Sequence, residues 1–266
     1  MGRWVEVGDR AWARRHDELD LTLGLVAGDR ACLVVDTGAD EAQGAAFAAA
    51  VRELTGLPWS VALTHAHFDH CFGTAAFGQC AVWAHPGCRA DLVATGERQR
   101  SAWVEHYHKE GDPEAAGRLS AARIVLPDHA AGTATELDLG GRVVRLAGPG
   151  PGHTGHDLVV HVPDSGVVFA GDLVEQGAPP AFEDAFPQAW PSALDRLLEL
   201  APRTVVPGHG EPVDAAFVAR QRDELAEVAR LCRAVAAGEL TRAEALARSP
   251  YPEPFTSDAL ARPLAP

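Results

Sequence analysis

Apolar residues fall in short runs along the first part of the chain. Residues 21–27 and 31–35 are two such runs, parted by Gly28-Asp29-Arg30, and the pattern predicts a β-hairpin. The second run stops at Asp36-Thr37-Gly38. Residues 40–54 follow, alanine-rich, without proline and without a β-branched residue before Val51, which predicts a helix. Residues 59–64 form a short apolar strand that leads straight into a histidine-dense segment, and residues 81–84 and then 86 onward predict another strand and helix.

Residues 96–132 break this rhythm. They are polar, mix charged with aromatic side chains (Trp103, His106, Tyr107) and lack a strong period, so they are expected to form irregular helices inserted over the core. From residue 136 the pattern is strand-dense: 136–139, 142–147, 158–162 and 167–170 are separated by glycine- and proline-bearing turns. Residues 190–200 predict a helix capped by Ser192, and 204–206 a last strand before Pro207-Gly208-His209-Gly210. Asp214 can cap a further helix with Phe217, Leu225, Val228, Leu231 and Val235 near one stripe. Thr241-x-x-Glu244 matches a capping box, and the proline-rich end is expected to be extended. Strands in two groups, each with its own helices, suggest two sheets packed face to face with helices outside.

Composition narrows the options. The chain has 266 residues, 47% of them hydrophobic, enough for a large buried core. Its formal charge is −14, with Lys109 the only lysine. Such a surface repels phosphate backbones and anionic headgroups, so a small-molecule substrate is expected rather than nucleic acid or membrane. The five cysteines are odd in number and form no C-x-x-C pair, and the N-terminus has no apolar signal-like run. A reduced, cytoplasmic setting is expected.

The chemistry concentrates in Thr64-His65-Ala66-His67-Phe68-Asp69-His70. In extended chain, residues i and i+2 point the same way, so His65 and His67 can grip one cation. If the chain then turns into a helix, Asp69 and His70 can face a second. Imidazole and carboxylate suit zinc, iron or manganese. Further ligands must come from distant loops, and His153, Asp172 and His209 each follow a glycine shortly after an apolar strand. For any one of these three alone, an ordinary hydrogen-bonding role would be the default; the dense cluster at 65–70 overturns it. The remaining histidines are expected to be solvated or structural.

The ordered set His65-x-His67-x-Asp69-His70, His153, Asp172, His209 resembles the metallo-β-lactamase fold superfamily, over about residues 21–210. The resemblance implies an α/β fold: a four-layer αβ/βα sandwich, with residues 1–213 as catalytic core, 95–132 as an inserted lid-like segment and 214–266 as a helical appendage. It implies that His65, His67 and His153 hold one cation and Asp69, His70 and His209 a second, with Asp172 bridging and Asp36 orienting a ligand histidine. It also implies two divalent ions, zinc first, with iron or manganese as alternatives. The bridging aspartate makes the chain similar to the glyoxalase II and lactonase branches rather than to the antibiotic-degrading enzymes. The implied activity is attack of metal-activated water on an ester, thioester or lactone carbonyl, with Asp69 and Asp172 in the catalytic set. Alternatives are a mononuclear iron thiol or persulfide oxygenase, a nuclease, or a true β-lactamase. Trp103, His106 and Tyr107 are candidate substrate contacts, as are Arg98 and Arg100, although a solvated helix face explains them as well. Cys71 is expected to pack rather than react. The arginines at 220, 222, 230 and 233 are expected to pair with acids of their own helix.

Overall fold

A computed structural model describes residues 2–132 and 134–263. Among these, twelve strands form two sheets. The first runs β1 (Arg3–Gly8), β2 (Ala11–Arg15), β3 (Thr22–Ala27), β4 (Cys32–Val35), β5 (Trp59–Ala62), β6 (Val82–Ala84), β7 (His129–Ala130), in that spatial order. Its first four strands are antiparallel, and the last four run parallel. The second sheet has the order β12 (Thr204–His209), β11 (Val167–Glu175), β10 (Val159–Val162), β9 (Val143–Ala147), β8 (Thr135–Asp138), antiparallel except for the β11–β12 pair.

Side-chain alternation turns these sheets into a sandwich. In β4, Val34 faces an outer helical layer while Leu33 and Val35 face inward; in β11, Val168 and Ala170 face outward and Val167 and Phe169 inward. The inward residues of both sheets share one core, joined by Val26, Leu146, Leu158 and Val160. Outside the first sheet lie α1 (Glu41–Leu54), α3 (Pro86–Lys109) and α4 (Pro113–Ala121), contributing Phe47, Val51, Leu92 and Leu119. Outside the second lie α5 (Trp190–Leu198), α6 (Ala215–Ala236), α7 (Arg242–Arg248) and α8 (Phe255–Ala261), contributing Trp190, Leu194, Leu225, Val228 and Ala259. Four layers result, as the resemblance implied. Burying both faces of the central strands β3, β4, β10 and β11 explains why these read as continuous apolar runs.

Several elements depart from expectation. Residues 86–109 form one unbroken helix, not irregular pieces. Its buried stripe, Cys88, Leu92 and Gly96, is one residue wide, so the surrounding charges hide the period. Gly96 is small because Ile124 packs against its α-carbon. Ser192 caps nothing: α5 starts at Trp190 with Pro191 in its first turn, so the serine lies inside the helix. The tail is helical over α8 instead of extended, with Pro254 at its start. The β1–β2 hairpin carried no strand signal strong enough to predict. No helix among the described residues is long and apolar enough to cross a membrane.

Candidate metal centre

Ligand-bearing segments converge at one edge of the sandwich. The chain leaves β5 extended through His65 and His67 and then turns into the short helix α2 (Phe68–Cys71), which presents Asp69 and His70. His153 stands in the loop between β9 and β10, in a turn closed by Asp157, which accepts from the backbone amide and the hydroxyl of Thr154 at 3.0 and 2.6 Å. Asp172 lies within β11, just after a break in its pairing with β12. There Gly171 adopts φ +54° with its α-carbon against Thr64, a position any side chain would strain. His209 ends β12, and a side chain at the preceding Gly208 would overlap Asp172 Oδ1.

Two donor groups form. Ligand atoms of His65, His67, His153 and Asp172 lie within 4.8 Å of one another, as do those of Asp69, His70 and His209. Asp172 joins them: Oδ1 is 3.1 Å from His70 Nε2, while Oδ2 is 3.4 Å from both His153 Nε2 and His209 Nε2 and 3.6 Å from His65 Nε2. All seven sequence-predicted ligands therefore come together.

Hydrogen bonds on the far side of four of the five rings fix which nitrogen faces inward, His153 Nδ1 having no such partner among the described residues. Asp36, in a left-handed conformation after β4, accepts from the Thr64 amide (2.7 Å), the Thr64 hydroxyl (2.8 Å) and His70 Nδ1 (2.9 Å). The Thr64 hydroxyl, having donated to Asp36, accepts from His65 Nδ1 at 3.0 Å. His209 Nδ1 donates to the Leu19 carbonyl at 2.7 Å, and His67 Nε2 donates to Asp184 at 3.0 Å. What remains is His65 Nε2, His67 Nδ1, His70 Nε2 and His209 Nε2, all turned into the site. His65 Nε2 is buried with no partner. The Nε2 atoms of His70 and His209 face each other 3.3 Å apart.

Electrostatics point the same way. Burial opposes charge at His70, yet Asp172, Asp69 and Asp36 hold its imidazolium well above the usual range; His209 behaves likewise beside Asp172 and Asp69. Burial disfavours the Asp172 carboxylate too, but His70, His209 and His65 draw it well below the ordinary value. The cluster demands positive charge at its centre, and its orphaned nitrogen, facing ring atoms and hard and borderline donors fit divalent cations. Burial pushes the Cys71 thiol well up and it donates to the His67 carbonyl, so it packs rather than ligates.

A cleft of about 600 Å³ opens onto these ligands, with Leu19, Phe68, Trp103 and Ala181 as its apolar wall. Trp103 lies over Phe68 at 4.4 Å between ring centroids. Arg98 lines the cleft, is exposed and has no ion-pair partner among the described residues. Tyr107 and His106 do not reach the cleft wall: α3 carries them a turn further on, Tyr107 against the core and His106 into solvent. Arg100 turns away to the Ala122 carbonyl and Glu97. On α6, Arg230 pairs with Glu227 and Arg222 with Asp223, as expected, and Arg222 also reaches Asp195 on α5. Two site residues escaped the sequence. Asp184 comes from an irregular loop with no local signature. Glu175, a lone acid ending an apolar strand, was visible but unread.

The metallo-beta-lactamase superfamily model matches residues 22–209. The chain belongs to that superfamily. Among curated proteins it is similar to acyl-coenzyme A thioesterase MBLAC2 of Bos taurus, 26% identical over 248 residues, covering 88% of this chain and 85% of that protein. It is also similar to the metallo-beta-lactamase type 2 of Bacillus sp. (strain 170), 27% identical over 170 residues, covering 62% of this chain and 56% of the relative. Among solved structures, a metallo-beta-lactamase from Pontibacter korlensis aligns with a TM-score of 0.66 at 19% identity, covering 85% of this chain and 99% of that one. That likeness concerns the fold of the superfamily, and the site geometry above is this member's own.

Proposed function

We propose that this chain is a dinuclear metal-dependent hydrolase whose substrates are acyl thioesters. The observation that carries the proposal is the Asp172 carboxylate, whose two oxygens reach both donor groups at once. His65, His67 and His153 would hold one cation, Asp69, His70 and His209 the other, and Asp172 both. When bound, such a pair acidifies a shared water and polarises the scissile carbonyl. Asp184 and Asp36 keep His67 and His70 turned so that their lone pairs face inward. Asp69 has one carboxylate oxygen 3.2 Å from His209 Nε2, which leaves the other to orient the attacking water and accept its proton.

The substrate class is supported by the thioesterase relative, whose match runs across most of both chains, and by the cleft itself. Phe68, Trp103, Leu19 and Ala181 provide an apolar bed for an acyl chain, and Arg98 offers an unpaired cation to an anionic group on the substrate. A panel of matched thioesters, oxygen esters, lactones and β-lactams, run with the metal-loaded chain, tests this reading. The highest kcat/KM is expected for a thioester. Faster turnover of a β-lactam or a lactone would overturn the substrate class, and one tightly held iron with oxygen uptake would overturn the reaction.

A further inference from the structure

The cleft wall has two unlike parts. One is apolar and begins at Leu19, whose carbonyl accepts from His209 Nδ1, so it borders the second cation position, that of Asp69, His70 and His209. Phe68 and Trp103 continue it. The other borders the first position, that of His65, His67 and His153, and it is polar. There α3 presents Asp91, Thr95 and Gln99, each four residues from the next and so on one face of the helix. These three form a single chain of hydrogen bonds. Gln99 Nε2 donates to the Ala66 carbonyl at 3.1 Å and to Thr95 Oγ1 at 2.8 Å, and the Thr95 hydroxyl donates to Asp91 Oδ2 at 3.3 Å. Ala66 lies between His65 and His67, so Gln99 is tied to the backbone that carries two ligands of the first position. A backbone carbonyl only accepts, and that fixes which end of the amide is nitrogen. Both of its hydrogens are then spent. The other end, Gln99 Oε1, accepts no hydrogen bond among the described residues, on a half-buried side chain that lines the cleft.

We propose that Gln99 is a specificity-determining residue: Oε1 accepts from an N–H on the thiol half of the substrate, so thioesters of N-acylated aminothiols are selected over those of thiols without that donor. The proposal rests on the thioester reading above. An acyl chain belongs on the apolar part of the wall, which leaves the thiol half to the polar part. Because Gln99 touches the peptide between two ligands of the first position, the donor it serves lies within a few bonds of the reacting carbonyl. An amide nitrogen two carbons from sulfur meets that condition. The neighbouring carboxylates of Asp91 and Asp184 are acceptors too, so this stretch of wall suits a group that only donates. The amide of Gln99 is held by both its hydrogens before any ligand arrives, so little ordering is left to be done on binding. A substrate that sets an oxygen against Oε1 strips the acceptor of water and returns nothing.

The test compares two thioesters with one acyl chain: S-hexanoyl N-acetylcysteamine and the S-hexanoyl derivative of 2-mercaptoethyl acetate, in which an ester oxygen replaces the N–H. Steady-state kinetics of the metal-loaded full chain, wild type and Gln99→Met, gives the ratio of the two kcat/KM values. Any disturbance of the metal-bearing turn falls on both substrates alike and cancels in that ratio. Wild type is expected to favour the amide at least about tenfold, and Gln99→Met to bring the ratio close to one. Calorimetry with the corresponding thioethers, in which a methylene replaces the scissile carbonyl, is expected to show the same preference in Kd without turnover. Equal wild-type values for amide and ester would overturn the proposal and require no variant to fold. A preference that survives Gln99→Met would overturn it as well. Failure to hydrolyse either thioester removes the thioesterase reading and this proposal with it; hydrolysis of both without preference removes only the role of Gln99.

Discussion

Replacing Asp36 by asparagine should empty the second cation position while leaving the sandwich folded. The carboxylate accepts three hydrogen bonds, from the Thr64 amide and hydroxyl and from His70 Nδ1, at 2.7, 2.8 and 2.9 Å. Asparagine tolerates the left-handed backbone that Asp36 adopts, so the substitution is gentle on the chain. Its amide, however, has one acceptor oxygen where the carboxylate has two. If that oxygen keeps the Thr64 amide, the NH₂ group faces His70 Nδ1 and drives the ring proton to Nε2, the atom needed for a cation. If the amide is turned the other way, it confronts the Thr64 N–H with a second donor, at a cost of about 1–3 kcal/mol. Losing the partner that orients a ligand histidine typically weakens metal binding by about 10–100-fold, or roughly 1.4–2.7 kcal/mol. Asp36→Ala is the harsher control. It orphans three buried donors and should lower unfolding free energy by about 3–5 kcal/mol. Elemental analysis after dialysis against a competing chelator, together with urea denaturation, reads both effects. Asp36→Asn that retains two metals at wild-type affinity would refute the reasoning.

Arg262→Ala should weaken the first position without touching any ligand, by about tenfold in metal affinity, because its guanidinium holds the loop that carries Asp184; a chelator competition that finds no change rejects that link. Gly208→Ala would drive a methyl group into Asp172 Oδ1 and should cost the chain its bridging carboxylate, seen as loss of at least one metal; full occupancy would show that β12 can shift aside. His16 is packed edge-on against Phe47, and burial, aided by Arg14 and Arg15, depresses its pKa to about 4. The unfolded chain therefore binds a proton first as pH falls, so stability conferred by the neutral ring is complete above pH ~6.5 and declines toward pH ~4, by at most about 3 kcal/mol. Urea melts of His16→Gln should show a flatter pH dependence over that interval, and parallel curves would contradict the assignment.

What was legible in the sequence followed from how densely each signal was written. The cluster at 65–70 packs its ligands into one strand-to-helix turn, so spacing alone conveys direction. His153, Asp172 and His209 became readable through the glycines before them, each of which marks a close approach. The sandwich was legible because the central strands β3, β4, β10 and β11 are buried on both faces, leaving apolar runs. Helix α3 was obscured by a stripe too narrow to outweigh its charges, and the β1–β2 hairpin by arginines and tryptophans at its half-exposed edge. Asp184 had no signal at all: it is positioned by a long-range contact, and no local spacing encodes one. Glu175 went unread for a different reason: the apolar pattern points to a strand over 167–170, whereas β11 runs on to Glu175, whose pairing partner on β12 is His209.

The guanidinium of Arg262 spans three consecutive carbonyls, those of Glu183, Asp184 and Ala185, at 2.9, 3.0 and 2.7 Å. It lies well downstream of the last histidine that faces the centre, so during synthesis on the ribosome the metal donors emerge long before the residue that steadies their support. Ions captured by the nascent chain would meet a looser first position than those arriving after α8 has docked. A fusion tag joined close behind that helix would act on the same lever, and protein meant for metal analysis is better tagged at the other end.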